Sequence, residues 1–224
     1  MTVTTTRAEG RTRTQARGRA RRQEFLETTR ALLLERPLDQ LSLTMVAEQA
    51  GIPASSIYHF YGDISELLKD VARAISLEMV AELDAKAGQG VHDGWQSIVR
   101  DFMRGASAIF NANRAARQLM LGPRTPPDIK RAACYEESRF GNALAREIEA
   151  VFVLPLIEDR EGVFFRAVQI CDLMFSLSVA DHDAVTPEGC EEGAHASIAY
   201  LGLYLPPILP RRPARALKSI AREG

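Results

Sequence analysis

Side chains that can donate hydrogen bonds gather in one short stretch of the sequence, residues 55–59. They are two serines, a tyrosine and a histidine: Ser55, Ser56, Tyr58 and His59. Hydroxyl and imidazole groups of this kind bind phosphate oxygens and base edges. Ile57 and Phe60 lie among them, so a short helix here would bury one apolar face and present one polar face. Packing is the alternative role for His59, but its place beside Tyr58 favours an outward-facing one.

Other kinds of chemistry find little support in the sequence. There is no phosphate-cradling glycine loop, no nucleophile elbow and no pair of catalytic carboxylates in a recognisable motif. The residues that resemble metal ligands are three in a row and two at a spacing of four, namely Asp181, His182, Asp183, Glu191 and His195. Such groups are more typical of a solvated helix end than of a metal site. We therefore expect no enzyme activity, no metal and no cofactor.

The composition is that of a soluble globular protein. The 224 residues are 46% apolar and 25% charged. No apolar run approaches the roughly 20 residues that span a bilayer, and the N-terminus is rich in Arg, so we expect a cytoplasmic protein without membrane contact. Cys134, Cys171 and Cys190 form no C-x-x-C pattern and are expected to be reduced. Redox sensing is disfavoured because apolar surroundings raise the pKa of a thiol.

The net charge of -1 hides an uneven distribution along the chain. Residues 1–36 contain nine Arg and four Glu, residues 37–210 carry a net charge of -10, and residues 211–224 carry +4. An acidic body repels nucleic acid. Any contact with DNA must therefore come from a local surface together with the basic N-terminal segment.

The elements that position these residues are predicted to be helices. Residues 1–19 contain almost nothing apolar, which predicts a flexible basic arm. Apolar spacings of three and four then predict helices over about 21–36, 42–50, 54–61, 63–83, 95–111, 115–121, 126–152, 163–179 and 186–204. No segment alternates with period two. We therefore predict an all-α protein of about nine helices, ending in a Pro/Arg-rich tail over 206–224.

Two of the predicted helices are short and joined by a tight turn. Ser42 can cap the first of them, Gly51 can end it, and Ile52 can fill the gap between the two. Two short helices after a longer first helix and before a long fourth are the sequence form of a helix-turn-helix. The sequence thus predicts a DNA-binding domain over residues 20–68, followed by a helical domain over 69–205.

A specific family resemblance lies in the same segment. Residues 43–61 read LTMVAEQAGIPASSIYHFY, and Glu66, Leu67 and Leu68 follow. Through the spacing of Val-Ala and Ala-Gly and through the aromatic run at 57–61, this segment resembles the DNA-binding domain of the TetR family of bacterial regulators. The resemblance covers about residues 21–68. It implies a homodimer with two DNA-reading heads on a helical domain, in which a small molecule binds and lowers the affinity for DNA.

The resemblance also assigns roles within the head. Ser42 would cap the first helix of the motif, and Thr44 would occupy a common DNA-contacting position. The recognition helix would carry Ala54, Ser55, Ser56, Tyr58 and His59. Arg21 and Arg22, next to the first helix, are the arginines of the arm that we expect nearest to DNA.

Two departures from the family pattern concern charge. The family often has Lys at the position of Ala54 and very often at that of Ile64, and residues 37–68 contain no Lys or Arg. We therefore expect the arm to supply the ionic part of DNA binding. Its arginines are Arg7, Arg11, Arg13, Arg17, Arg19, Arg21 and Arg22. The alternative is a tail that only keeps the protein soluble.

Candidates for contact with the small molecule lie in the second half of the chain. Three are aromatic, Trp95, Phe102 and Phe110, and five are polar residues within apolar stretches, Tyr135, Ser138, Gln169, Asp172 and Ser176. Burial obliges polar groups to find partners, which makes them candidate ligand contacts. The alternatives are core packing for the aromatic residues, and the dimer face or solvent for the polar ones.

The function that these features favour is that of a transcriptional repressor. It would bind a pseudo-palindromic operator in double-stranded DNA as a homodimer, and a mostly apolar small molecule would release it. Asp63 followed by Glu66 resembles a capping box, which predicts that a long helix starts there. We expect this helix to couple the two domains, and the last two long helices to form the dimer interface. The alternatives are a DNA-binding dimer without a small-molecule effector and, less favoured, a small all-α enzyme.

Overall fold

The structure is a computed structural model. It describes residues 5–86, 90 and 92–213, without the side chains of 5–14, 86 and 133–138. Within these ranges the protein is all-α, as predicted, and the single β-type contact there is an isolated bridge between Phe152 and Arg211. The chain divides into two compact units, residues 1–71 and 72–224.

The first unit contains three helices and the start of a fourth. Helix α1 spans Thr5–Glu35, α2 spans Leu43–Gln49, α3 spans Ala54–Tyr58, and α4 spans Ile64–Lys86. Each of them turns apolar side chains inward. The buried core of the unit includes Phe25, Leu33, Val46, Ile57 and Leu67. Burial of these side chains is the main source of the unit's stability, at about 1.5–3 kcal/mol for each large apolar residue.

Helix α1 begins at Thr5, well before the predicted start near Arg21. Residues 5–19 are thus helical in the structure, where the sequence predicts a flexible arm, while residues 1–4 lie outside the described residues. Arg, the commonest residue in this segment, is a good helix former, and so are the two Ala and the single Gln and Glu. Once the turns around Phe25 are fixed by packing, elongation adds one hydrogen bond per residue without a new nucleus. The helix can thus continue where no apolar residue anchors it.

The second unit is a bundle of helices that follows α4. It contains α5 (Trp95–Ala112), α6 (Arg114–Ala116) with a π-helical turn at Arg117–Leu121, α7 (Pro127–Val151), α8 (Arg160–His182) and α9 (Pro187–Leu201). Helix α8 packs against both α7 and α9. A Cβ atom on Gly141 would lie 2.7 Å from the backbone nitrogen of Phe165, so α7 and α8 approach too closely there for any other residue.

The sequence predicts no membrane-spanning segment, and the length and composition of α8 can be compared with that expectation. Of the helices in the described residues, it alone is long and apolar enough to do so by length and composition. The core helix of a soluble protein passes the same test. Val163, Phe164 and Phe175 of α8 are buried in the second unit, which accounts for its apolar character.

The segment after α9 is packed, although it was predicted as a tail. Trp95 Nε1 donates a hydrogen bond to the carbonyl oxygen of Pro206 at 2.9 Å. The backbone nitrogen of Val153 donates to Pro210, and that of Arg212 donates to Val151, both at 2.8 Å. The chain is therefore fixed through residue 213, while residues 214–224 lie outside the described part.

Candidate nucleic-acid interface

The start of α2 is fixed by a side-chain cap, as predicted. Ser42 has an extended backbone, and its hydroxyl oxygen accepts a hydrogen bond from the backbone nitrogen of Met45 at 3.2 Å. This satisfies one of the amide groups that the first turn of a helix leaves without a partner. Thr44, in that first turn, is exposed and available for contact.

The turn between α2 and α3 depends on Gly51. Its φ is +67°, a conformation that side chains with a Cβ atom rarely adopt. A Cβ atom there would meet no other atom within 4 Å, so the requirement comes from the backbone and not from space. Ile52 is buried directly after it, and its backbone nitrogen donates to Ala47 at 2.9 Å. The turn thus sets the angle between the two helices.

Helix α3 presents the predicted polar residues on one side. It ends at Tyr58 and not at Tyr61 as predicted. Ile57 is fully buried, whereas Tyr58 is 55% exposed. Ser55 and His59 are exposed, and Ala54 and Ser56 are half-buried. The exposed groups include a hydroxyl, a phenol and an imidazole, which together can hydrogen-bond to phosphate oxygens and base edges.

Two aromatic residues after α3 fasten it to α1. The ring of Phe25 meets that of Phe60 edge-on at 5.8 Å between centroids, and that of Tyr61 at 6.5 Å. Phe60 is half-buried, but Tyr61 is almost completely buried. The shorter helix follows from this packing, because Tyr61 turns into the core where a longer α3 would have continued.

Arg22 makes contacts within the first unit, while 53% of its side chain stays exposed. Its Nε donates to the Tyr61 hydroxyl at 3.1 Å, and its Nη2 lies 2.7 Å from the Asp70 carboxylate. The Tyr61 hydroxyl in turn donates to Asp70 at 3.1 Å. Burial raises the pKa of Tyr61 to about 12, so the phenol stays protonated and can donate. Arg22 thus joins α1 to α4, while Arg21 is exposed beside Glu24 at 3.2 Å.

A small apolar cavity lies inside the second unit. Its lining includes Phe102, Met103, Phe110, Met120, Phe140, Asp172 and Phe175. About 30 Å³ is open to the centre of a water-sized sphere, room for two or three water molecules. The rings of Phe110 and Phe175 meet edge-on at 6.3 Å. The cavity is therefore small and mostly apolar.

Three of the eight predicted ligand contacts line this cavity: Phe102, Phe110 and Asp172. Trp95 does not, because its indole faces the segment after α9. Gln169 and Ser176 are also absent from the lining, since α8 turns Val168, Cys171, Asp172 and Phe175 toward the cavity instead. The side chains of Tyr135 and Ser138 lie outside the described part of the chain. Sequence reasoning missed Met103, Met120 and Phe140, because their apolar spacing is the same as that of ordinary core residues.

Of the residues considered for metal binding or redox chemistry, Asp183 lies at a helix end and Cys171 is buried in the core. Asp183 has a φ of +54° and closes the C-terminus of α8, in the way expected of a helix end. In the described residues, no three His, Cys, Asp or Glu side chains are grouped so that they could hold a metal ion. Burial raises the pKa of the Cys171 thiol well above its usual range, which disfavours the reactive thiolate.

Comparison with known proteins bears directly on this head. The family model for bacterial regulatory proteins, tetR family, matches residues 25–71, which cover α2, α3 and the packed part of α1. The head of this chain is thus a DNA-binding domain of the tetR family type. A TetR-family transcriptional regulator from Streptomyces coelicolor shares its fold with a TM-score of 0.61 and 19% identity, over 83% of this chain and 99% of that one. No curated protein matches the chain in sequence.

A second solved structure agrees. A TetR transcriptional regulator from Rhodococcus sp. RHA1 matches with a TM-score of 0.63 and 15% identity, over 83% of this chain and 97% of that one. At such identities the likeness shows the fold. Together with the TetR-family head, it supports a DNA-binding transcriptional regulator, a class of protein that acts by binding and not by catalysis.

The N-terminus of α4 shows where this protein departs from the TetR-family pattern. The Asp63 carboxylate accepts from the backbone nitrogen of Glu66 at 3.0 Å, and the Glu66 carboxylate accepts from that of Gly62 at 2.7 Å. This capping box was predicted from the sequence. Ile64, where the family usually has Lys, is half-buried. The N-terminus of α4 therefore carries two carboxylates, at the place where the lysine usual in the family would attract a phosphate.

Proposed function

We propose that the protein is a homodimeric transcriptional repressor that binds a pseudo-palindromic operator. The observation that carries this is the placement of α3. Ile57 and the neighbouring aromatic residues anchor its inner side, while Ser55, Tyr58 and His59 face outward. A short, rigidly held helix with outward donors is what major-groove recognition requires. Thr44 and Ser56 would add contacts to the backbone or base edges.

The exposed face of α8 supports dimerisation. Leu173 and Leu177 lie one turn apart on α8 and are 56% and 54% exposed. Helix α9 packs beside α8 and has His195 and Ala199 exposed on its own outer face. Apolar side chains in such a row gain stability by packing against a second copy, and two helices from each chain would form a four-helix interface. A twofold dimer would place two copies of α3 against two half-sites.

The small apolar cavity supports release by a small molecule. Ligand pockets usually measure about 300–1,000 Å³, so an effector would bind only after the cavity opens. Met103 and Met120, with their flexible thioethers, allow such repacking. The closed arrangement would then bind DNA, and an apolar effector would favour an open one. The free energy of this population shift would equal the difference between the binding free energies of the effector for the two arrangements. Helix α4, which the boundary between the units crosses, would carry the change.

The test is a binding assay with fragments of DNA from the region upstream of the gene and from unrelated regions. We expect preferential binding to one upstream fragment, protection of two half-sites, and release by a metabolite that also raises the melting temperature. Binding without any effector among screened metabolites would favour a DNA-binding dimer controlled in another way. Absence of DNA binding even at low salt would contradict the proposal and favour an all-α enzyme. A protein that acts on genomic DNA would work in the cytoplasm of a bacterium.

A further inference from the structure

Helix α1 continues for several turns beyond the core of the first unit. Phe25 is the first of its described residues that is fully buried, and Arg17, Arg19 and Arg21 before it are exposed. With a rise of 1.5 Å per residue, residues 5–21 span about 25 Å. We call residues 5–21 the basic extension. Its length equals about seven base pairs of duplex DNA.

The basic extension leaves the first unit next to the end of α3. Arg22, its neighbour, donates to the hydroxyl of Tyr61, and the ring of Phe25 contacts that of Phe60. Phe60 and Tyr61 follow α3 within three residues. The extension therefore starts at the same edge of the unit as the helix whose outward residues we propose to contact DNA.

The charge of the extension is arranged on one side. It contains six arginines, Arg7, Arg11, Arg13, Arg17, Arg19 and Arg21. At about 100° per residue, the backbone positions of five of them fall within half of the helix circumference, and Arg19 falls on the other half. In contrast, residues 37–68, which include α2 and α3, contain four acidic residues and no Lys or Arg. The positive charge of the first unit is thus concentrated on α1.

We propose that the basic extension is a second DNA-binding element, a helix that lies along the phosphate backbone beside the site contacted by α3. It supplies most of the ionic affinity and does not depend on base sequence. This rests on the proposed function only in that the partner is double-stranded DNA. Arginines at a spacing of four, such as Arg13 and Arg17, repel each other in a free helix. Phosphates on the same side remove that cost, so a polyanion of regular spacing is the partner that suits the extension best.

The test measures the salt dependence of binding for full-length variants. The probe is a fluorescently labelled 40-base-pair duplex of unrelated sequence, titrated at 50, 100 and 200 mM salt. Each phosphate contact contributes a slope of about -0.9 to log affinity against log salt. We expect Arg13→Gln/Arg17→Gln to make the slope shallower by about two per chain. The loss of affinity between 50 and 200 mM salt would then be about tenfold smaller. The control Lys130→Gln/Arg131→Gln, which removes two charges from α7, should leave the slope unchanged.

Three further variants distinguish a helical extension from a loose charged tail. Arg17→Gln should weaken binding more than Arg19→Gln, because only Arg17 belongs to the side that carries most of the arginines. Ala16→Pro keeps every charge but interrupts the helix, and it should also make the slope shallower. Equal effects of the two Gln variants, or a wild-type slope for Ala16→Pro, would overturn the helical element.

The two proposals fail in different ways. If the wild-type protein does not bind duplex DNA at 50 mM salt, the proposed function is wrong. If it binds and Arg13→Gln/Arg17→Gln retains the wild-type slope, the proposed function stands and the basic extension is not a DNA-binding element.

Discussion

The guanidinium of Arg22 and the carboxylate of Asp70 lie 2.7 Å apart and join α1 to α4. Tyr61 completes the contact, since its hydroxyl accepts from Arg22 and donates to Asp70. The ring of Tyr61 also lies beneath the Arg22 guanidinium, 5.4 Å away. Arg22 is far from both Tyr61 and Asp70 in sequence. The contacts among the three residues hold the segment after α3 against α1 and α4. Arg22, which is predicted to contact DNA, is thus also part of this intramolecular cluster.

Removing one hydroxyl tests this cluster. Tyr61→Phe keeps the ring packed against Phe25 but removes the hydroxyl that donates to Asp70 and accepts from Arg22. We expect a loss of about 1 kcal/mol in the free energy of unfolding, measured by urea titration. Tyr58→Phe removes a hydroxyl that is exposed, so it is the matched control and should leave stability unchanged. Equal stability of wild type and Tyr61→Phe would show that the hydrogen bonds contribute nothing.

The turn at Gly51 gives a second stability prediction. Gly51→Ala introduces a Cβ atom at a φ of +67°, which costs about 1–2 kcal/mol although the space is open. Asn tolerates this conformation better than Ala, so Gly51→Asn should lose less. Thermal unfolding of the three proteins would give the order wild type, Asn, Ala. A loss of the same size for both variants would point to another cause than backbone strain.

The outward side of α3 gives a prediction on binding. We expect Tyr58→Ala, His59→Ala and Ser56→Ala each to reduce operator affinity at least tenfold, about the value of one lost contact to DNA. Folding and dimerisation should stay intact because none of these side chains is fully buried. Anisotropy titrations give the affinity, and sedimentation gives the oligomeric state. Normal binding by all three variants would mean that the wrong face of α3 is assigned to DNA.

The exposed leucines of α8 predict the dimer interface. Leu173→Glu/Leu177→Glu should yield a monomer at micromolar concentration, because the charges would be buried between the two copies. Leu156 in the α7–α8 loop is fully exposed, and Leu156→Glu serves as the control that should remain a dimer. Sedimentation velocity distinguishes the two. A monomeric wild-type protein would contradict the interface and the palindromic operator together.

Local signals in the sequence predicted the head well. The cap at Ser42, the glycine turn at Gly51 and the capping box at Asp63 are each decided by residues within four positions of one another. The same holds for the helical class of the whole chain, which periodicity alone indicates. These features appear in the structure where the sequence places them.

Features that depend on distant residues could not be predicted in this way. Arg22 meets Asp70 across 48 positions, and nothing local separates it from the exposed arginines before it. The cavity is lined by residues of several helices, and Phe140 has the same pattern as any core residue. The early start of α1 has a different cause. Composition predicts that residues 5–19 cannot bury a surface, but a helix that is already anchored needs no buried surface to continue.

A half-buried acid in the second unit predicts how stability changes with pH. Burial, reinforced by Asp84 and Asp101, raises the pKa of Glu147 to about 7, although Arg146 lowers it. Because the pKa is higher in the folded state, the folded protein retains this proton between about pH 4.5 and 7 while the unfolded chain loses it. This contribution to stability is complete below that range and is lost as the pH rises through it. Glu147→Gln removes the titration, so we expect the variant to gain on the order of 1 kcal/mol relative to wild type on going from pH 5 to pH 8, a value reduced for partial solvent exposure. The exposed Glu158→Gln is the control. Parallel pH profiles of the melting temperature for wild type and Glu147→Gln would show that this carboxyl titrates normally.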